Sequence, residues 1–196
     1  MQRPKTKPLY AWSIVSHIAG SLVAGVAGGG LLGMIGEYIG MGRLHRTPVL
    51  WMILSGLSAV LALHELYWLR LPIPQLHRQT AKWWRARFGA VGAAWLWGLD
   101  LGSGLTTIVT FSGYCILVLA ALNSGNVWYG GLILGIFGIS RAIVVFIMPK
   151  LVMSQENHLR WMIQTLPSYQ TALHKWHALG LFVIGMGLTV RLIEFT

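Results

Sequence analysis

Cysteine, acid and charge of any kind are scarce in this chain. Among 196 residues there is one cysteine, Cys115, so no intramolecular disulfide can form, and the C-x-x-C patterns of zinc sites, haem attachment and dithiol relays are excluded. A single cysteine inside an apolar run is a small hydrophobe. Asp and Glu together number 5 and charged residues make up 10%, too few to solvate the surface of a soluble domain of this length. No phosphate loop, nucleophile motif or metal-ligand cluster occurs, so an enzymatic reading has no support.

The remaining composition is that of a membrane protein. Hydrophobic residues reach 55%, glycine fills 24 positions, and the mean hydropathy is +0.63. A helix needs about 20 apolar residues to cross a hydrocarbon core. Five segments qualify: Tyr10–Ile39, Val49–Leu69, Ala90–Leu122, Val127–Met148 and Trp176–Ile193. The first run is too long for a signal-peptide core and is followed by no small-x-small cleavage site, so it reads as a retained helix. The expected fold is an all-α polytopic membrane protein forming a single transmembrane domain.

The net charge of +10 alternates by loop. Arg3, Lys5, Lys7, Arg70, Arg78, Lys82, Arg85, Arg87, Lys150, Arg160 and Lys175 fall on one side, and Arg43, Arg46 and Arg191 on the other. The positive-inside rule then sets the N-terminus in the cytoplasm and the C-terminus across an inner (plasma) membrane. Topology and anionic lipid on the cytoplasmic face explain this charge better than nucleic acid does.

Gly25, Gly29 and Gly33, then Gly36 and Gly40, line one face of the first segment, where a neighbouring backbone can approach closely. Such glycine faces also suit packing against partner membrane proteins. The second segment ends in His64-Glu65 beside Tyr67, Trp68 and Arg70, a position from which both ionisable groups can snorkel to the headgroups. Two stretches read as short amphipathic helices on the cytoplasmic surface: Gln79–Phe88 with Trp83 and Trp84, in the basic linker 70–89 whose prolines make its start extended, and the loop 154–174, where Pro167 should stop the helix. His45, His77, His158, His174 and His177 fall in loops or at boundaries and read as solvated.

The third segment, as an unbroken helix, would reach about 50 Å. A break near Gly98–Gly104 is expected, with Ser103, Thr106 and Thr107 satisfying freed backbone groups around Asp100. An acid in hydrocarbon is costly and normally faces a protein interior or a partner charge. Arg141, within the fourth segment, is the expected partner of Asp100, with Glu37 the second choice. A discontinuous helix around an acid is a common form of transporter site. His17 and His64, on neighbouring spans, are a weaker candidate pair of axial haem ligands; no other cofactor and no metal is indicated.

The runs Leu96-Trp97-Gly98-Leu99-Asp100-Leu101-Gly102-Ser103-Gly104-Leu105-Thr106-Thr107 and Tyr129-Gly130-Gly131-Leu132-Ile133-Leu134-Gly135-Ile136-Phe137-Gly138-Ile139-Ser140-Arg141-Ala142 resemble the fourth and fifth helices of the DsbD/CcdA membrane domain. That family of thiol electron carriers lies within the lysine-exporter-like superfamily. The resemblance implies a six-helix fold without its first helix. It also implies two reactive cysteines beside prolines, yet Leu105, Thr106 and Thr107 stand where one Pro-Cys belongs. A relay needs two sulfurs, so that chemistry does not carry over. The function expected from the sequence is a small-solute, proton or metal-ion carrier with a polar pathway of Asp100, Arg141, Thr106, Thr107, Ser103 and Glu37. The alternative is a non-catalytic accessory subunit or assembly factor of a larger membrane complex, one of redox proteins or cytochromes if the resemblance holds.

Overall fold

The computed structural model describes residues 6–69, 71, 83–104, 112–152 and 158–193. These form six α-helices and no strand among the described residues: α1 (Thr6–Tyr38), α2 (Pro48–Glu65), α3 (Trp84–Ser103), α4 (Tyr114–Asn123), α5 (Val127–Val152) and α6 (His158–Ile193), with a 3-10 helix at Met41–Arg46. Local chemistry sets several of the ends. Pro48 opens α2 at a position where no amide hydrogen is needed. Asn126 starts α5, its Oδ1 accepting hydrogen bonds from the Trp128 and Tyr129 amides at 2.8 and 3.2 Å.

Three stretches among the described residues are long and apolar enough to cross a membrane: Leu9–Tyr38, Pro48–Glu65 and Val127–Val144. Their outward faces carry large apolar side chains such as Trp12, Met34, Ile53, Leu132 and Ile136. Such a surface suits lipid, since an aqueous protein seldom exposes continuous apolar area on that scale.

Helix α1 lies between α3 and α5 and packs on both, while α2 pairs with α6. The glycine ladder is what lets α1 sit so close. A Cβ at Gly25, Gly29 or Gly33 would fall on the carbonyls of Leu134, Gly130 and Asn126 in and before α5, and one at Gly36 on the Leu122 carbonyl of α4. Gly40 is different: it has φ +75° and ends the helix in open space. On the other side of α1, the Gly98 and Gly102 positions of α3 abut the His17 and Ser21 backbones. Three α1 side chains also donate to α3 carbonyls: Ser16 Oγ to Val91 (3.2 Å), His17 Nδ1 to Ala94 (3.1 Å) and Ser21 Oγ to Gly98 (3.0 Å). In a medium without water such hydrogen bonds and close backbone contact replace the hydrophobic effect as the glue between helices.

The break expected near Gly98–Gly104 falls at the last of these glycines. Helix α3 runs through Gly98 and Gly102 and stops at Ser103, with Gly104 in the left-handed region at φ +64°. Gly98 and Gly102 therefore serve contact with α1 rather than helix rupture. The residues between α3 and α4, Thr106 and Thr107 included, lie outside the described residues. So does most of the basic linker; its described end, from Trp84, opens α3 ahead of a kink at Gly89 (φ 67°, ψ −175°). The amphipathic loop and the last span are one element, because α6 continues through Pro167 from His158 to Ile193.

Candidate functional site

The α2–α6 pair is joined to the rest of the molecule by a buried polar clasp. Helix α2 ends on Glu65, which is 2% exposed. One carboxylate oxygen, Oε1, accepts from both the Ser112 amide and the Ser112 hydroxyl, each at 2.6 Å. The other, Oε2, accepts from His174 Nδ1 of α6. Because a carboxylate only accepts, that contact places the proton of the imidazole on Nδ1. Ser112 is fully buried and His174 is nearly so. Tyr67, just past the end of α2, sets its ring against the His174 ring with centroids 5.4 Å apart. Beside the clasp, Leu61 and Ala62 of α2, Ile116 of α4 and Leu181 of α6 form an apolar cluster, with Cys115 packed on it.

Three elements distant in sequence thus meet at one carboxylate. The cluster is not a hydrolytic triad, since the acid lies between serine and histidine, and the histidine does not activate the hydroxyl. Its physical role is to satisfy a buried acid completely and to fix α2, α6 and the turn before α4 together. A carboxylate holding several hydrogen bonds is stable in a dry interior, whereas one stripped of a partner is costly.

This overturns two sequence expectations. Glu65 does not snorkel, and His174 is not solvated. Leu66 to Leu69 turn back over the end of α2 and, with α6, exclude water from the carboxylate. His177, also expected in solvent, is half-buried one turn further along α6, against Gly113. No spacing rule could find the clasp, because Ser112 and His174 stand 47 and 109 residues from Glu65. The one available signal was an acid at the end of an apolar span.

The other expected residues are more dispersed. Arg141 Nη1 donates to the Leu101 carbonyl at 3.1 Å and its guanidinium lies 5.5 Å from the Phe137 ring centre. It therefore reaches the α3 backbone immediately after Asp100. Ser103 Oγ turns back to the Asp100 carbonyl at 2.9 Å. Glu37 is exposed at the other end of α1, in a shallow polar depression with Arg43 and Gly125. Gly138 in α5 meets α1 at Ser21, so Glu37 and Arg141 sit at opposite ends of the α1–α5 contact, separated by about 28 Å of helix rise. Of the two histidines, His17 is buried against α3, and His64 closes the end of α2. There its Nδ1 accepts from the Leu71 amide (3.1 Å) or, in the other tautomer, donates to the Leu69 carbonyl (3.0 Å).

Fold and site together define an all-helical protein with three stretches suited to crossing a membrane, in which the most deeply buried acid among the described residues locks helices together. The chain is similar to the methylamine utilization protein MauF of Paracoccus denitrificans, at 33% identity over 129 residues, 66% of this chain and 46% of the relative. It is likewise similar to the proteins of the same name from Paracoccus versutus (32% over 142 residues, 70% and 48%) and Methylobacillus flagellatus (32% over 140 residues, 68% and 47%). The chain spans about half the length of the curated relatives it matches. No family model matches the chain, and no solved structure matches it.

These relatives correct two expectations. The glycine and apolar runs that resemble the DsbD/CcdA helices do not mark membership of that family; such runs recur wherever helices pack closely in lipid. The carrier reading falls with it, because the matched proteins are named for amine utilization and the accessory alternative fits them better.

Proposed function

We propose that this chain is a non-catalytic accessory membrane protein of an amine-utilization system, acting by holding or helping to assemble partner proteins at the membrane. The observation that carries the reading is the similarity to proteins named for methylamine utilization. Its physical support is the way the chain spends its polar groups. Ser16, His17 and Ser21 tie α1 to α3, and Glu65, Ser112 and His174 tie α2 to α6 and α4. These bonds make a stiff scaffold, and a stiff scaffold with apolar outer faces is what lateral docking in a bilayer requires.

In this reading five segments cross the membrane, and the loop asymmetry of Lys and Arg sets the N-terminus in the cytoplasm and the C-terminus opposite. The test is an in-frame deletion in the chain's own host, scored for growth on methylamine and on an unrelated carbon and nitrogen source. A defect confined to methylamine, restored by the full chain and accompanied by stoichiometric co-purifying proteins in mild detergent, is expected. Equal growth on both sources refutes the assignment.

A further inference from the structure

A cavity of about 500 Å³, open along one side, runs in the crease between α2 and α6. Small side chains create it: Ala59, Ala62 and Ala178 let the two helices touch but fill little of the space beside them. Its walls are Leu63, Leu179 and Phe182, which are 38%, 52% and 54% exposed, so it opens on the outer face of the helix pair and not on the core.

The two ends of the cavity differ. Helices α2 and α6 are antiparallel, with Glu65 beside His174 and Ser55 beside Gly185. At the end marked by Ala59 and Phe182 the cavity stops short of the place where Ser55 Oγ donates to the Gly185 carbonyl at 3.1 Å, and where a Cβ on Gly185 would come within 3.3 Å of Ser58. At the opposite end stand Trp68 and Lys175, and Lys175 is the single charged residue of the lining. That end is at headgroup depth. The stretch Pro48–Glu65, apolar enough to cross a membrane, finishes just before Trp68, and an exposed indole at the limit of a span suits the membrane interface, where an apolar ring and a polar N–H both find partners. Helix α6 carries no acid, and the acid of α2, Glu65, is committed to Ser112 and His174. The charge presented to the headgroups at this end is therefore positive.

We propose that this cavity seats an acyl chain of one anionic phospholipid, with its phosphate at Lys175 and its glycerol region at Trp68. Length argues for lipid over protein. The rise along α6 from Lys175 to Phe182 is about 10 Å, which lies within one leaflet, roughly half of a hydrocarbon core of about 30 Å. A partner helix crossing the bilayer would use a groove running through both leaflets. Charge argues for an anionic headgroup, because one basic residue near the membrane surface favours acidic lipid about fivefold. A free phosphate ion would meet Lys175 but leave the apolar length empty. The proposal rests on the membrane reading of the chain and is independent of its amine-utilization role.

The experiment is native mass spectrometry of the full chain released from bilayer discs of equal phosphatidylglycerol and phosphatidylcholine. Recovery of the chain in the discs reports the membrane reading by itself, and the identity of the retained lipid reports the proposal. The expected result is one retained phosphatidylglycerol per chain. Lys175→Gln should lower the preference for it about fivefold, and Lys175→Arg should keep it. Ala59→Phe fills the cavity from an exposed position at the end away from Lys175 and should eliminate retention of that lipid. Val60→Phe, exposed but outside the lining, is the control and should bind as the parent does. Equal retention of the two lipids, an unchanged preference in Lys175→Gln, retention in Ala59→Phe, release of the lipid by inorganic phosphate alone, or a protein partner seated there in place of lipid would each overturn the proposal.

Discussion

Replacing Glu65 by alanine should destabilise the protein far more than replacing it by glutamine, and the difference follows from the clasp geometry. Alanine removes the acceptor of three donors at once: the Ser112 amide, the Ser112 hydroxyl and His174 Nδ1–H. Ser112 is fully buried and His174 is 9% exposed, so water cannot readily replace the carboxylate. An orphaned buried donor costs about 1–3 kcal/mol, and the substitution orphans three of them clustered at one carboxylate. The expected loss for Glu65→Ala is therefore about 3–5 kcal/mol. Glutamine keeps the shape and one acceptor oxygen for Ser112. Its NH₂ group would face His174 Nδ1, and a shift of the imidazole proton to Nε2 turns that meeting into a new hydrogen bond. The expected cost is about 1–2 kcal/mol, one hydrogen bond exchanged for a weaker one. Cys115 supplies the assay. It is the single cysteine and packs on the apolar cluster beside the clasp, so a thiol-reactive fluorophore reports opening of this region during thermal unfolding in detergent. Glu65→Ala should label fastest and unfold at the lowest temperature, with Glu65→Gln between it and the parent. If the two substitutions act alike, each within about 0.5 kcal/mol of the parent, Glu65 behaves as an exposed residue and the clasp is refuted.

Other consequences can be checked in the same assay. Gly29→Leu should separate α1 from α5 and cost more than the roughly 1–3 kcal/mol of ordinary overpacking, because the new atoms meet the Gly130 backbone and not a movable side chain. Ser21→Ala removes the bond to the Gly98 carbonyl while leaving that carbonyl its helical partner, so a loss of about 0.5–1.5 kcal/mol is expected by thermal unfolding. Gly104→Ala should cost about 1–2 kcal/mol for the left-handed backbone, with more from contact with the Tyr114 ring. It should also weaken the Tyr114–Ser103 hydrogen bond, visible as a change in tyrosine environment.

Much of the architecture was legible in the chain because it depends on local pattern. Apolar runs of sufficient length announce helices for a bilayer, and three of the expected segments overlap stretches of that length and hydropathy. The ladder Gly25, Gly29, Gly33 and Gly36 announced a close-packed face, since positions at helical spacing share a side whatever they pack against. What remained hidden was the identity of each partner. Asp100 drew attention because it interrupts an apolar run, yet among the described residues Glu65 is the acid that the fold buries most deeply. Its burial depends on a serine and a histidine from other helices, and sequence distance carries no trace of that meeting. The length of α6 was equally hidden: an amphipathic stretch, a proline and an apolar run look like separate elements until packing makes them one helix. By itself, the sequence determined that this protein is helical, suited to the membrane and joined through glycine. Only the tertiary structure decided which charges are buried and where a cavity is left, because those depend on side chains brought together by helix packing rather than on periodicity within any one helix.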